Sequence, residues 1–429
     1  MAGPHRSTRS ARPALAGASA PARQSSLREH NLALVLRHTV GLPSGATRAQ
    51  TAKATGLTRA TVSELVDLLL EAGFVKELPP VPSSGVGRPG TPVVAADGGP
   101  VGLGLEIAVD HVAVNAVNLA GRVITERVVE GDYRQSPVEA TIERVARLVP
   151  RVVSDVDSVG GWIAGACVAA PGLVGPEPGI LRFAPNLGWT NVPLADLLSA
   201  AIGWPTSTVD VGNDANLAAL AESRKRLQRS HSRQEQSFLY ISGEVGIGGA
   251  FVVAGELAKG LRGWAGEIGH MVVDPAGPTC GCGSRGCLEQ YAGKDVVLRS
   301  AGLSPRAGWD ALRAAIDAGD AEALAAVDVA AEALGRVTAS AVNLIDADTV
   351  VLGGAYASIA PALIPAVLEQ TRARAIATRF TGAAVSVEGA LAGEFAALQG
   401  AALSVTDRVV ANPSNWLAEP TAIPLGLPN

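Results

Sequence analysis

Cysteine is scarce in this sequence, four residues in 429, and that scarcity excludes a disulfide-stapled scaffold. No run of about 18 apolar residues occurs, so no membrane-spanning helix is expected. Residues 1–24 hold arginines but lack the apolar stretch of a secretory leader, and their Ala, Pro, Ser and Arg bias predicts a disordered arm. Together these absences predict a cytoplasmic protein without membrane partners. The length exceeds one ordinary core and predicts two or three domains.

Charge is present but unevenly placed. Residues 1–92 carry 11 Lys and Arg against 5 Asp and Glu, whereas the rest of the chain carries 24 against 35. The front end is therefore suited to a polyanion and the remainder is not. From Leu27 the pattern becomes helical, with Leu32, Val35, Leu36 and Thr39 on one stripe until Gly41-Leu-Pro43. A second helix is predicted over 48–55, a tight turn at Gly56-Leu57, and a third helix over 59–72 capped by Thr58. That third helix places Val62, Leu65, Val66 and Leu69 on its apolar face. Strands near 74–77 and 91–94 would form a wing whose turn carries Arg88. Residues 25–95 thus predict a winged helix-turn-helix in which Arg48, Thr58, Arg59, Thr61 and Ser63 reach phosphates and base edges, and Arg88 enters a minor groove. The competing reading is a three-helix bundle with a solvated basic face.

Three of the four cysteines lie within eight residues, at Cys280, Cys282 and Cys287, shortly after His270. One imidazole and three thiolates fill a tetrahedron around Zn²⁺, and the glycines between 281 and 286 let the chain turn tightly enough to present them. A filled tetrahedron has no vacant position for water, so the predicted zinc is structural. The competing reading, free or disulfide-bonded thiols, fits poorly because Cys280 and Cys282 are too close to pair easily. Cys167, in the apolar stretch 162–170, reads as a small core residue.

After residue 98 short β-rich segments at 101–109, 111–119 and 122–129 predict a meander, followed by a helix over 138–153 and a buried strand over 162–170. Alternation of strand and helix continues to about residue 403, which predicts α/β architecture. Along it lie Asn186-Leu-Gly-Trp189, Gly212-Asn-Asp214-Ala-Asn216, Gly246-Ile-Gly-Gly249, Gly266-Glu-Ile-Gly-His270, the run from Cys280 to Glu289, and Val351-Leu-Gly-Gly354. In this order they resemble the motifs of the ROK family (repressors, open reading frames and kinases), and the winged front end resembles its transcriptional branch of the NagC/XylR type. The resemblance implies two actin-like, sugar-kinase-like (ASKHA) lobes, the first at 99–215 plus 388–404, the second, holding the zinc, at 216–387. Residues 405–429 form a tail of unassigned role. It also implies that Asn186, Asn213, Asp214, Glu267, His270 and Glu289 bind sugar hydroxyls, for which carboxylates, amides and imidazole are suitable partners. Surface solvation for the glutamates and turn formation for Asn186, Asn213 and Asp214 are the competing assignments.

Asp214 matches the position of the family's catalytic base. The phosphate loops depart from the family's kinases. Where an Asp-x-Gly-Gly-Thr type turn is expected, the chain has Glu106-Ile-Ala108-Val109-Asp110, and where Gly-Thr-Gly is common it has Glu244-Val245-Gly246. Added Cβ atoms and acids oppose the approach of phosphate. The expectation is a sugar-responsive DNA-binding regulator, a repressor of carbohydrate genes, with no catalytic residues in use. Its partners would be a double-stranded, palindromic operator and a monosaccharide or sugar phosphate, and it would act as a homodimer or dimer of dimers. The alternatives are an active ATP-dependent sugar kinase carrying a DNA-binding domain, and a regulator governed by a protein partner.

Overall fold

A computed structural model describes residues 24–80, 90–175, 177–229, 232, 235–382 and 384–417. The expected arm over 1–23, the wing tip with Arg88, and the chain end from 418 lie outside these residues.

The front end comprises helices Gln24–Val40, Arg48–Thr55 and Arg59–Glu71. Sequence explains their limits. Thr47 and Gln50 form a reciprocal capping box at the second helix, Gly56 ends it in the left-handed conformation, and the Thr58 hydroxyl accepts from the Thr61 amide to start the third. Val62, Leu65, Val66 and Leu69 are buried against Leu32, Val35 and Leu36. Strand Pro92–Ala95 pairs antiparallel with Val75–Glu77 and, on its other edge, with Ala46–Thr47, completing the wing.

Behind it stand two five-stranded sheets. The first runs in the order 209–213, 161–170, 99–107, 111–118, 123–130, and the second 256–257, 247–253, 238–243, 349–354, 386–389. Each sheet combines an antiparallel meander or hairpin with parallel strands, and the strands that lead into the cleft end in Gly, Asn and Pro turns. Helices Asp214–Arg229 and Ala396–Ala411 lie between the sheets in a shared core with Cys167, Phe238, Tyr240 and Val351. Cys167 is a buried free thiol, as a core residue should be.

Two boundaries differ from expectation. Strand Ser386–Gly389 pairs in parallel with Thr349–Gly354, so residues 388 and 389 belong to the second sheet rather than to the first lobe. Likewise, the first lobe was expected to end at 404, but helix Ala396–Ala411 runs on past that boundary. Val409 and Val410 are buried among the side chains of the winged domain, with Trp416 and Leu417 packed alongside. The start of the presumed tail is therefore a structural part of the front end. The winged domain is also joined to the first sheet through Leu119 and through Trp162, whose ring lies 6.3 Å from that of Phe74.

Candidate functional site

A cleft opens between the two sheets. Asn186, Asn213, Asp214, Glu267, His270 and Glu289 all line it, although they come from both lobes and span more than a hundred residues of chain. Gly246 is the point of convergence. A Cβ there would lie 2.7 Å from Glu289 Oε2 and 2.9 Å from Asn186 Nδ2, so only glycine lets these two side chains meet over the hairpin turn. Glu289 Oε2 accepts from the Ile247 amide at 3.3 Å. Burial raises Glu267 and Glu289 above the usual carboxylate range.

Asp214 begins the helix that follows strand Val209–Asn213. Its Oδ1 accepts from the Ala215 amide at 2.7 Å and from Asn213 Nδ2 at 3.0 Å, which leaves Oδ2 for the cleft. Burial, reinforced by Glu106 and Glu267, raises its pKa to about 7. Asn213 behaves differently from expectation. Its amide nitrogen is spent on the Gly172 carbonyl and Asp214, and its oxygen accepts from Asn216, so it shapes the turn and the helix start. The local preference of Asn for backbone bonding wins over ligand contact.

His270 Nδ1 stands 3.8 Å from Cys280 Sγ, and Cys282 and Cys287 sulfurs are 3.7 Å apart. All four donor atoms lie within 4.8 Å of one another. Sulfurs bound at about 2.3 Å at tetrahedral corners are separated by about 3.8 Å, which matches this spacing, whereas a disulfide needs about 2.05 Å. The pKa of Cys287 is pushed up to about 12 by burial and by its neighbouring thiols. Such crowding of sulfurs is relieved when a cation shares them. The four residues could therefore hold a metal, with His270 bound through Nδ1 and its other nitrogen directed at the cleft that it lines.

The opposite end of the cleft is crowded. Glu244 Oε1 accepts from the Ala355 amide at 3.1 Å, just before helix Tyr356–Arg374, and sits over Gly354, where a Cβ would meet it. A side-chain carboxyl thus stands beside the start of that helix, on an amide that also donates to the Gly243 carbonyl at 3.0 Å. Burial, with repulsion from Asp110, Glu106 and Asp214 and partial relief from His111, pushes Glu244 up to about 8. On the facing loop Asp110 is not a bare negative charge, as the sequence suggested. Its carboxylate accepts from His111 Nδ1 at 3.0 Å and from Lys294 Nζ at 2.6 Å, and these bonds outweigh burial to hold it well below the usual range. His111 is raised to about 10, because Asp110 and Glu106 overcome the desolvation that opposes its charge. The missed signal was Lys294, 184 residues away, which has no motif. Its neighbour Asp295 accepts two bonds from Arg134, and Trp264 Nε1 donates to the Val174 carbonyl at 2.7 Å, so three contacts tie the lobes together.

On the winged domain Thr58 and Arg59 are exposed, and Thr61 and Ser63 are half-buried beside them. Arg48 departs from its expected role. Its guanidinium is forked between Asp67 and Glu77, at 2.6 and 2.5 Å, which braces the third helix against the wing.

The ROK family model matches residues 102–408, well over half of the sequence. The chain belongs to the ROK family. It is 30% identical over 255 residues to the xylose repressor of Caldicellulosiruptor bescii, a match that covers 58% of this chain and 61% of that protein. The chain spans about three-fifths of the length of the curated repressors it matches. A solved ROK family transcriptional regulator, described as a homologue of Escherichia coli MLC, superposes with a TM-score of 0.69 over 90% of this chain and 97% of that one. At 21% identity this likeness bears on the fold alone. A ROK family glucokinase from Streptomyces griseus, solved with glucose and AMPPNP, is 26% identical with a TM-score of 0.60, and the match covers 71% of this chain and 98% of the glucokinase. This ROK chain therefore shares its two-lobed part with regulators and kinases alike. No helix among its described residues is long and apolar enough to cross a membrane.

Proposed function

We propose that this ROK protein is a sugar-responsive transcription regulator, acting as a repressor of carbohydrate uptake or catabolism genes, whose cleft binds a sugar without phosphorylating it. The observation that carries this reading is the pairing of an open sugar end, where Asn186, Asp214, Glu267, His270 and Glu289 converge, with an anion seat already taken by Glu244. Phosphoryl transfer needs that seat for nucleotide oxygens. Zinc is the metal that best suits one imidazole and three thiolates, and it acts here as a clip that orients His270 and places Glu289. Thr58, Arg59, Thr61 and Ser63 present the third helix to the major groove of a palindromic operator, with two copies of the chain reading its half-sites.

Sugar binding alters the angle between the lobes, and the spacing of paired winged domains changes with it. The test is fluorescence anisotropy of a DNA fragment from upstream of the protein's own or a neighbouring gene, titrated with protein across a sugar panel. One sugar should shift the midpoint, and a titration insensitive to every sugar would overturn the proposal. The second reading is an ATP-dependent sugar kinase with a DNA-binding domain. Asp214, in the base position with a pKa raised to about 7, favours it. Sugar phosphate produced from ATP and a hexose panel by the purified protein would establish that reading instead.

A further inference from the structure

The charge of the cleft bears on which form of a sugar it accepts. Seven carboxyl groups line it and no lysine or arginine does, among the described residues. The nearby cations are already engaged: Lys294 on Asp110 at 2.6 Å, and His111 between Asp110 at 3.0 Å and Glu106 at 3.6 Å. Glu106 is itself buried, at 8% exposure, and its Oε2 has no hydrogen-bond partner. Three backbone donors near the two helix starts beside the cleft are bonded as well. The Ala215 amide bonds to Asp214, the Asn216 amide to Asn213, and the Ala355 amide to Glu244.

Phosphate recognition requires the reverse, free N–H groups with arginine or lysine beside them. We propose that the cleft selects by charge, accepting an uncharged or aminated monosaccharide and rejecting sugar phosphates. The inference rests on the sugar-binding reading above and narrows it. A phosphate ester at the hydroxyl nearest Asp214 would bring a dianion against Glu106 and Asp214, in a space where burial, with neighbouring acids adding to it, already disfavours negative charge on Asp214 and Glu244. An ammonium group placed there gains the attraction of the carboxyl groups that line the cleft. The protein then senses carbohydrate before a phosphorylating step rather than after it.

The experiment is calorimetry on the full, zinc-loaded chain in magnesium-free buffer at neutral pH. Aldohexoses and aldopentoses are each titrated beside the terminal phosphate ester, the terminal O-methyl ether and the amino-sugar counterpart. The expected result is that the phosphate of the best sugar binds weaker by about tenfold or more, while its neutral methyl ether is penalised less and its amine is retained. A phosphate that binds more tightly than its parent overturns the inference and leaves the sugar-binding reading intact. Equal rejection of ether and phosphate overturns it too, because shape would then be the filter. If no sugar in any form binds, both fall. In a folded Glu106→Gln variant the gap between parent and phosphate should narrow by at least about threefold.

Discussion

The two ends of the cleft sit on the same architecture and treat their side chains in opposite ways. At the sugar end Gly246 keeps the backbone bare, so that Asn186 and Glu289 can approach each other, and a four-donor cluster fixes the loop that carries His270. At the end that the proposed function deprives of nucleotide, side chains stand close together. Glu244 accepts from the Ala355 amide just before helix Tyr356–Arg374, and Asp110 accepts from His111 beside it and from Lys294 across the lobes. A binding site is kept by leaving polar groups unspent, and it is lost when the protein satisfies them internally. Loss of a catalytic residue is not required. Asp214 is retained at the boundary between the two ends, with one oxygen still directed to the cleft.

The sharpest way to break this comparison is at the metal loop. Cys282→Ser should release the ion and remove the sugar response, with a stability loss on the order of several kcal/mol. Metal stoichiometry and sugar-induced thermal shift measured on one sample check both, and a normal shift without metal would detach the sugar end from its clip. At the other end, a Glu244 carboxyl raised from 4.5 to about 8 binds its proton more tightly when folded than unfolded. Its contribution is therefore present below pH 4.5 and is lost as pH rises through about 8. Glu244→Gln should flatten that decline, stabilising the protein at pH 8 by on the order of a few kcal/mol. Melting curves from pH 5 to 8 that are parallel for the two proteins would refute it.

A smaller effect is expected across the lobes. Lys294→Met leaves Asp110 without its main cation and should cost about 1–2 kcal/mol, less than a fully buried pair because Asp110 keeps some water. Adding Asp110→Asn should recover part of this, and a strictly additive double mutant would show that the pair does not couple the lobes. The smallest change concerns the winged domain. Arg59→Ala should weaken operator binding and lower the salt slope by about one unit. Arg48→Ala, by contrast, should lower the melting temperature of the protein while leaving the slope unaltered, since its guanidinium is held by Asp67 and Glu77.

Much of this was legible in the residues because it is local. Thr58 before an apolar stripe marks a helix start whatever surrounds it, and His270 with Cys280, Cys282 and Cys287 carries its chemistry in its spacing. That the residues of the ordered motifs would line one cleft was legible as well. What escaped depends on partners distant in sequence. Lys294 neutralises a residue 184 positions earlier, and Glu244 bonds to an amide 111 positions later. Arg48 reads as a free cation until Asp67 and Glu77 are folded beside it. Asn213 is the subtler case: amide groups suit a sugar and a turn equally, and only the position of the Gly172 carbonyl decides between them. The end of the last helix was opaque because its residues, plain Val409 and Val410, pair with a core almost four hundred residues upstream.

That last helix has a mechanical meaning. Ala396 and Ala397 border the cleft, while Val409 and Val410 are packed beneath helix Gln24–Val40. A stiff rod of 16 residues, about 24 Å long, joins the two. With no loop interposed along its length, tilting at one end must be felt as displacement at the other. Cutting the chain after residue 404 would remove the rod's far bearing, and the winged domain would be left to lean on Leu119 and Trp162 for its footing in that shared core.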